Sequence, residues 1–186
     1  MSVAPRALPV VIAVVVTTAA ALAAWAALPL SPAGPPGEGQ ATVVRVVDGD
    51  TVVVVVGGTE ESVRLIGIDT PESVARDRAD ECYGVEASDR LRALLPVGTA
   101  VRLTRDVEPR DLYDRLLAYV QRSSDGLFVN AAQVADGYAE ASDYPPNTAY
   151  RDQFEQAERA ARQAGLGLWS ACGGPDVALD APPPGP

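Results

Sequence analysis

Three β-branched segments follow one another between residues 42 and 68, and only short turns separate them. Residues 42–47, 51–56 and 62–68 are rich in valine, isoleucine and threonine, which favour strands. An Asp-Gly-Asp sequence and a Gly-Gly pair lie between these segments, and such residues favour tight reversals of the chain. The pattern predicts three consecutive strands joined as a meander.

The rest of the chain alternates between helix and strand patterns. The elements predicted after residue 68 are a helix over 83–94, strands over 100–104 and 116–122, a helix over 127–135, and a last helix between Asn147 and Gly165. Asn147 is expected to cap this last helix and Gly165 to end it. A helix between the third and fourth of five strands is typical of an OB-type barrel. The sequence therefore predicts an α+β fold, mainly a five-stranded OB barrel, with three helices.

The amino-terminal residues have a different composition. Arg6 is the only charged residue before Glu38, and residues 7–30 are uncharged. Such a stretch resembles the apolar region of a signal peptide, and it also exceeds the ~20 residues that a membrane-spanning helix needs. Residues 1–30 are therefore interpreted as a signal peptide or as a retained N-terminal membrane anchor. A buried core helix is the third interpretation, which the lack of a polar face disfavours.

Both of the first two interpretations place the folded part outside the cytoplasm. Residues 31–40 are rich in proline and glycine and are predicted to be a linker. Residues 41–172 form the predicted domain, and residues 173–186 are predicted to be a disordered tail. The protein is expected to be secreted, or anchored on the outer face of the cytoplasmic membrane through residues 7–30.

Cys82 and Cys172 are the only cysteines. An oxidising exterior would join them, and closing a loop of about 90 residues stabilises a fold by ~4–5 kcal/mol in the chain-entropy model. Two buried free thiols are the alternative. No histidine is present to activate a nucleophilic thiol, so a catalytic cysteine is not expected.

The basic residues limit the possible chemistry. All 15 are arginine, and the chain contains no histidine. Histidine general bases, serine–histidine hydrolases and histidine-ligated metal sites are therefore excluded, and two cysteines are too few for a four-thiolate zinc site. The net charge of −10 disfavours non-specific binding to nucleic acid and to anionic membranes. Any hydrolytic chemistry must use carboxylates, arginines and hydroxyls.

Carboxylates and arginines occur together in three clusters, at residues 48–51, 64–72 and 111–115. Carboxylate oxygens such as those of Asp50 and Asp69 suit Ca²⁺ or Mg²⁺ rather than a softer metal. A structural network of ion pairs among the same residues is the alternative, because single Asp–Arg pairs are common. Spacing alone does not decide between the two.

Several short motifs follow one another in a fixed order between residues 41 and 169. They are Val46-Val47-Asp48-Gly49-Asp50-Thr51, Val63-Arg64-Leu65, Asp69-Thr70-Pro71-Glu72, Tyr83-Gly84-x-Glu86-Ala87-Ser88, Asp111-x-Tyr113-x-Arg115-x-Leu117-Ala118-Tyr119, Tyr144-x-Pro146-Asn147 and Gly165-Leu166-Gly167-Leu168-Trp169. In these motifs the chain resembles the staphylococcal nuclease (thermonuclease) family. The resemblance implies an OB barrel with three helices. It also implies Ca²⁺-dependent hydrolysis of DNA and RNA phosphodiester bonds that releases 3′-phosphorylated products.

The resemblance also implies a role for each residue of the acidic motifs. Asp50 and Asp69 would hold Ca²⁺ by their carboxylates, and Thr70 by its main-chain carbonyl. Glu72 would position or deprotonate the attacking water. A carboxylate base is consistent with a chain that has no histidine.

The remaining implied residues contact the substrate. Arg64 and Arg115 would bind the scissile phosphate and stabilise the charge that develops on it. Tyr113 would hydrogen-bond a substrate phosphate, and Tyr144, in a matching motif, is assigned to substrate binding. The expected partners are DNA and RNA, with single strands preferred, and the expected state is a monomer without a protein partner.

Two positions depart from well-known members of the family. Leu112 stands where they have a lysine, and Ser142 lies near the position of a second substrate-facing tyrosine. We therefore expect weaker affinity on the 3′-phosphate side of the substrate. The competing interpretations are a non-catalytic OB module that binds nucleic acid or a protein at the cell surface, and a surface-displayed structural or adhesion domain.

Overall fold

The computed structural model describes residues 39–73 and 81–179. The predicted signal peptide or anchor, most of the predicted linker and residues 180–186 lie outside the described residues. Within the two described ranges, no helix combines the length and the hydrophobicity that crossing a membrane requires.

The described residues form seven strands and four helices. In chain order they are β1 Gly39–Val46, β2 Thr51–Val56, β3 Thr59–Leu65, β4 Ile68–Asp69, α1 Gly84–Leu94, β5 Ala100–Thr104, β6 Leu116–Arg122, α2 Val129–Ala135, β7 Glu140–Ala141, α3 Arg151–Ala164 and α4 Leu168–Ala171. Five of these strands close a barrel in the order β1-β2-β3-β6-β5, which confirms the predicted barrel fold.

The barrel pairing brings the segments that contain the site residues together. Neighbouring strands run antiparallel except for β3 and β6, which are parallel, with Val63 level with Leu116. The parallel pair places the start of β6 beside β3. Arg115, the residue before β6, therefore lies beside the strand that contains Arg64.

Buried side chains fill the barrel and the space between it and the helices. Val52, Val63, Leu65 and Leu117 are fully buried in the barrel strands. An aromatic group packs beside them, with centroids 4.5 to 6.2 Å apart, and consists of Tyr119, Phe128, Tyr150 and Phe154. Aromatic pairs in this distance range stabilise a core beyond simple burial.

The third strand ends earlier than predicted. β3 stops at Leu65, and the chain turns at Gly67, whose φ is +80°. A Cβ at this position would lie 2.4 Å from the Phe154 ring, so glycine is required both for the conformation and for the close approach. The chain then enters β4, which pairs with β7 and places Asp69 opposite Glu140.

The predicted cap of the last helix is wrong. α3 begins at Arg151 and follows Tyr150, not Asn147. The buried Asn147 side chain instead accepts a hydrogen bond from the Glu108 N–H at 2.7 Å and donates to the Glu108 carbonyl at 3.1 Å. A buried amide gains more by satisfying two main-chain groups than by capping an exposed helix end. The predicted end is right, because Gly165 adopts the left-handed conformation after α3.

The Cys82 and Cys172 sulfurs form a disulfide bond. Two further contacts accompany the disulfide. The Cys82 N–H donates to the Val177 carbonyl at 2.7 Å, and Glu81 pairs with Ala178 as an isolated β-bridge. Residues 173–179 therefore differ from the predicted disordered tail, because the disulfide keeps them beside the start of α1.

Candidate active site

Asp50 lies at the end of the turn between β1 and β2, and only 6% of its surface is exposed. Its Oδ1 accepts a hydrogen bond from the Thr51 hydroxyl at 3.1 Å, and its Oδ2 accepts two from the N–H and hydroxyl of Thr70, both at 3.2 Å. At Gly49, a Cβ would lie 2.6 Å from the Thr70 Oγ1, so only glycine allows this approach. The turn and the end of β4 thus bring together residues that are 20 positions apart.

Arg64 joins the two acidic segments. Its Nη1 forms an ion pair with Asp50 Oδ2, and its Nη2 donates to Asp69 Oδ1 at 2.5 Å. The Arg64 side chain is 19% exposed, and that of Asp69 is 45% exposed. We call Asp50, Arg64 and Asp69 the acidic cluster. The structural alternative from the sequence is thus present as ion pairs among the residues predicted to hold a metal.

Burial and nearby negative charge raise the pKa of Asp50. Burial is the largest cause and raises the pKa of Asp50 to about 7, although Arg64 opposes it. The negative charges of Asp48 and Asp69 raise this pKa further. A buried carboxylate with two acidic neighbours is stabilised in its charged form by added positive charge, which a divalent cation supplies.

The donors near Asp50 fit a hard cation with an incomplete protein ligand set. The carboxylates of Asp50 and Asp69 and the carbonyl of Thr70 are oxygen ligands, the type that Ca²⁺ prefers. Across residues 39–73 and 81–179, no group of three or more acidic, cysteine or histidine side chains converges to hold a metal. Two carboxylates and one carbonyl leave further positions for water or a phosphate oxygen.

Glu72 follows β4, and its side chain is exposed. Its N–H donates to Glu81 Oε2 at 2.9 Å, and its carbonyl accepts from the Glu81 N–H at 2.9 Å. Partial burial is the largest cause that raises the pKa of Glu72, and the charges of Asp48, Asp69 and Glu81 add to it. A carboxylate with a raised pKa is a better proton acceptor than an ordinary one.

Arg115 belongs to the segment before β6, which we call the arginine loop, residues 110–115. Its Nε donates to Asp111 Oδ2 at 2.6 Å, and its N–H donates to Asp111 Oδ1 at 2.9 Å. Its guanidinium carbon lies 5.5 Å from the centre of the Tyr113 ring. The Nη1 also reaches the Thr51 hydroxyl at 3.5 Å, which connects the arginine loop to the neighbour of Asp50.

A cavity of about 190 Å³ is bordered by Arg64 of the acidic cluster and by the arginine loop, whereas Asp50 and Asp69 do not line it. Its lining includes both arginines together with Leu112, Tyr113, Ser142 and Tyr144. Leu112 is 98% exposed and Tyr113 is 81% exposed, so both side chains are open to solvent at the rim. The structure therefore brings the two predicted phosphate-binding arginines and both predicted substrate tyrosines to one cavity.

Sequence reasoning gave no role to three residues that hold Arg115 or the arginine loop, namely Asp111, Arg110 and Glu61. Asp111 holds Arg115, and its spacing of four residues from Arg115 was the available signal. Arg110 forms a bidentate pair with Glu61, at 3.0 and 2.9 Å, across 49 residues. No local pattern indicates this second contact, because it depends on barrel closure.

Comparison with known proteins agrees with this geometry. The family model described as staphylococcal nuclease homologue matches residues 62–171. The thermonuclease of Staphylococcus intermedius is 42% identical over 127 residues, which cover 68% of this chain and 74% of that protein. The thermonuclease of Staphylococcus hyicus is 38% identical over 128 residues, with 69% and 74% covered. Endonuclease YncB of Bacillus subtilis (strain 168) is 38% identical over 133 residues, with 71% and 62% covered.

The family model extends from within β3 to the end of α4, and it includes both Arg64 and Arg115. The matched family model alone extends over more than half of the chain. The chain therefore belongs to the staphylococcal nuclease family of phosphodiester-cleaving enzymes.

Proposed function

We propose that this protein is an exported, Ca²⁺-dependent nuclease that hydrolyses DNA and RNA phosphodiester bonds to 3′-phosphorylated products. The observation that supports this most is the cavity between two arginines, one paired to two carboxylates and the other to Asp111. Because Arg64 lines the cavity and also pairs with Asp50 and Asp69, a phosphate bound by Arg64 would lie near the proposed cation ligands.

The metal site would use the carboxylates of Asp50 and Asp69 and the carbonyl of Thr70. When bound, Ca²⁺ supplies positive charge that offsets the charge developing on the phosphate. Asp50 is pre-oriented by its hydrogen bonds to Thr51 and Thr70, so its oxygens are already fixed. Fixed ligands lose little conformational freedom on binding, which supports affinity.

The two arginines would bind the scissile phosphate. Arg64 and Arg115 line the same cavity, and each is oriented by a carboxylate. A guanidinium offers parallel N–H donors that match phosphate oxygens. Because charge grows on those oxygens in the transition state, these contacts strengthen as the reaction proceeds and so accelerate it.

Glu72 would act on the attacking water. Its carboxylate is exposed and projects from the segment that follows Asp69 and Thr70. Its raised pKa moves it towards the range in which a general base works near neutral pH. The chain has no histidine that could take this role.

The rim of the cavity supports a preference for single strands. Tyr113 and Leu112 are exposed there, and Tyr144 lines the same cavity. Aromatic faces stack on unpaired bases, which are not accessible in an intact duplex. Since Leu112 and Ser142 add no charge, affinity on the 3′-phosphate side would rest on few contacts.

Export is proposed from the sequence. Residues 7–30 are uncharged and precede a segment rich in proline and glycine. The protein would be secreted as a monomer, or remain anchored on the outer face of the cytoplasmic membrane. Fractionation of cells with an antibody to the barrel tests this, and an uncleaved protein found only in the cytosol would contradict it.

The decisive experiment incubates the purified protein with single-stranded DNA, either with Ca²⁺ or with a chelator. We expect cleavage only with Ca²⁺, and product ends that carry a 3′-phosphate. Glu72→Gln should lower turnover by ~100-fold or more, since general-base catalysis usually contributes 10²–10⁴. Glu86→Gln, an exposed change on α1, is the matched control. Binding without cleavage under both conditions would instead indicate a non-catalytic binding module.

A further inference from the structure

Glu72 is held through its main chain rather than through its carboxylate. The Glu72 N–H donates to Glu81 Oε2, and the Glu72 carbonyl accepts from the Glu81 N–H, both at 2.9 Å. Two opposed hydrogen bonds fix the peptide groups on both sides of the Glu72 Cα. The exposed carboxylate therefore projects from a position that Glu81 sets.

Glu81 is fixed in turn by the carboxyl-terminal part of the chain. The neighbouring Cys82 is bonded to Cys172 and donates its N–H to the Val177 carbonyl at 2.7 Å. Glu81 itself forms a β-bridge with Ala178. We call residues 172–179, with the disulfide, the C-terminal clamp. The clamp therefore contacts both Glu81 and Cys82.

The start of α1 packs directly against the Glu72 main chain. A Cβ at Gly84 would lie 2.6 Å from the Glu72 carbonyl oxygen and 2.8 Å from its carbon. The Ser73 and Ser88 hydroxyls are 2.8 Å apart, which ties the next residue to α1. The Glu72 main chain thus lies in direct contact with α1, with no space for even one added methyl group.

We propose that Glu81 is a positioning residue for Glu72, and that the C-terminal clamp holds Glu81 in the position this requires. The inference rests on the proposed function, in which Glu72 acts on the attacking water. A general base must lie within hydrogen-bonding distance of the water it orients, and a misplacement of 1 Å costs about 100-fold in rate. The disulfide at the neighbouring Cys82 and the β-bridge of Glu81 with Ala178 limit such displacement.

The first test compares Glu81→Ala with Glu81→Gln. Alanine removes the acceptor for the Glu72 N–H, whereas glutamine keeps an oxygen at that place. We expect kcat to fall by roughly 10-fold or more in Glu81→Ala and to stay near that of the unchanged protein in Glu81→Gln. KM and Ca²⁺ affinity should change less than about twofold, since the acidic cluster is untouched. Glu86→Ala removes an equal charge nearby and controls for electrostatics.

The second test adds the missing methyl group. Gly84→Ala improves the helix propensity of α1, and Gly84 is not in the left-handed conformation, so the helix should not be weakened. The new Cβ must displace the Glu72 carbonyl. We expect a fall in kcat of about the same size as in Glu81→Ala, at an unchanged helix content. Such a result cannot be explained by loss of the helix.

The third test removes the disulfide with Cys82→Ser and Cys172→Ser together. We expect lower kcat at temperatures where the variant is folded, and a smaller further loss when Glu81→Ala is added, because both changes release the same group. Leu103→Ala, in β5, is the control for general destabilisation, since β5 contributes no residue to the cavity. It should lower the melting temperature and leave kcat below that temperature nearly unchanged.

The outcomes separate this inference from the proposed function. If Glu72→Gln retains normal turnover, the role of Glu72 is wrong. If Glu72→Gln loses turnover while Glu81→Ala and Gly84→Ala keep theirs, the positioning role alone is overturned. An equal loss in Glu81→Gln and Glu81→Ala also overturns it, because the hydrogen bond would then not be the cause. If the disulfide-free variant does not fold, the Glu81 and Gly84 variants still decide, since both retain the bond.

Discussion

Arg64 of the acidic cluster and the arginine loop line the same cavity, but the cluster and the loop are held in different ways. The acidic cluster joins the turn before β2 to β3 and β4, and its Asp50 is buried. The arginine loop lies outside the barrel strands, with Leu112 and Tyr113 almost fully open to solvent. Arg64 contacts two carboxylates from different segments, while Arg115 pairs mainly with Asp111, four residues earlier.

This difference indicates which substitutions should lower turnover without an equal loss of stability. Removing a charge from the acidic cluster leaves another charge buried without its partner, which destabilises a fold strongly. Removing the Arg115 charge leaves the Asp111 carboxylate, whose side chain is only 4% exposed, without that ion pair, but the main-chain N–H groups of Tyr113 and Arg115 still donate to it, so the cost should be smaller. Arg64 and Arg115 have the same proposed role, but replacing each by glutamine should therefore lower the stability of the fold by different amounts.

The largest effects are expected for the two arginines. Arg64→Gln and Arg115→Gln should each lower turnover by about 10²–10³, the usual cost of one transition-state donor. Arg64→Gln should also destabilise the Ca²⁺-free protein, by up to about 3–5 kcal/mol where Asp50 is ionised, because Asp50 loses its buried partner. Arg115→Gln should lower the melting temperature less, because two main-chain N–H groups still donate to Asp111. Thermal melting and steady-state kinetics of both variants test this, and equal losses of stability would break the distinction.

A smaller effect is expected when Asp111 is changed within the arginine loop. Burial, which by itself raises the pKa of Asp111, is outweighed by hydrogen bonds from Arg115 and Tyr113, so that the pKa is lowered. Asp111→Asn keeps an oxygen for the main-chain donors but loses the charged contact to the Arg115 guanidinium. We expect turnover to fall by roughly 10-fold through misplacement of Arg115. Steady-state kinetics on single-stranded DNA measures this, and unchanged turnover would show that Arg115 needs no orientation by Asp111.

The melting temperature of Asp111→Asn, measured as a function of pH, gives a second test. Because the pKa of Asp111 is lower in the folded protein, its stabilisation is complete above the unfolded pKa of ~3.9 and is lost as the pH falls through the folded value. The difference in melting temperature between the unchanged protein and Asp111→Asn should therefore be constant near neutral pH and shrink below pH ~4. A difference that instead widens in acid would contradict the assignment.

The contact between Arg110 and Glu61 should have a still smaller effect. The Arg110–Glu61 ion pair connects the arginine loop to β3. Arg110 also donates a hydrogen bond to the Asp114 carbonyl, within the loop, at 2.7 Å. Glu61→Gln should lower turnover only a few-fold, which is less than the ~1.4 kcal/mol of activation free energy that corresponds to a factor of 10. Glu60→Gln, an exposed change on the same strand, is the control. A loss of turnover as large as that of Asp111→Asn would show that the contact with β3 orients the arginine loop as strongly as the Asp111–Arg115 contact within it.

The smallest effect concerns Leu112. It is 98% exposed, so Leu112→Lys should not alter the fold. One added phosphate contact should tighten binding of single-stranded DNA and increase the slope of binding against salt by about one unit. Binding titrations over a range of salt concentrations measure this slope. Leu112→Gln is the neutral control, and an equal gain in both variants would exclude charge as the cause.

The sequence predicted the parts of the fold that depend on neighbouring residues. The bounds of β2, β5 and β6 agree with the prediction, because β-branched runs and the turns beside them are local signals. The end of β3 was missed because Gly67 turns where the Phe154 ring packs against it, and that ring comes from α3. The cap at Asn147 was missed for the same reason, since its partner Glu108 is 39 residues away.

For the candidate site, too, the sequence predicted some features and only the tertiary structure showed the others. Residue types marked Asp50, Arg64, Asp69 and Arg115 as candidates, because the chemistry of phosphate and hard cations limits which side chains can serve, and the resemblance to the staphylococcal nuclease family gave them their roles. Only the tertiary structure showed the bidentate pair of Arg110 with Glu61 and the hydrogen bonds between Glu81 and the Glu72 main chain. Propensity acts between neighbours along the chain, whereas these contacts exist only after barrel closure and the 90-residue disulfide loop bring distant segments together.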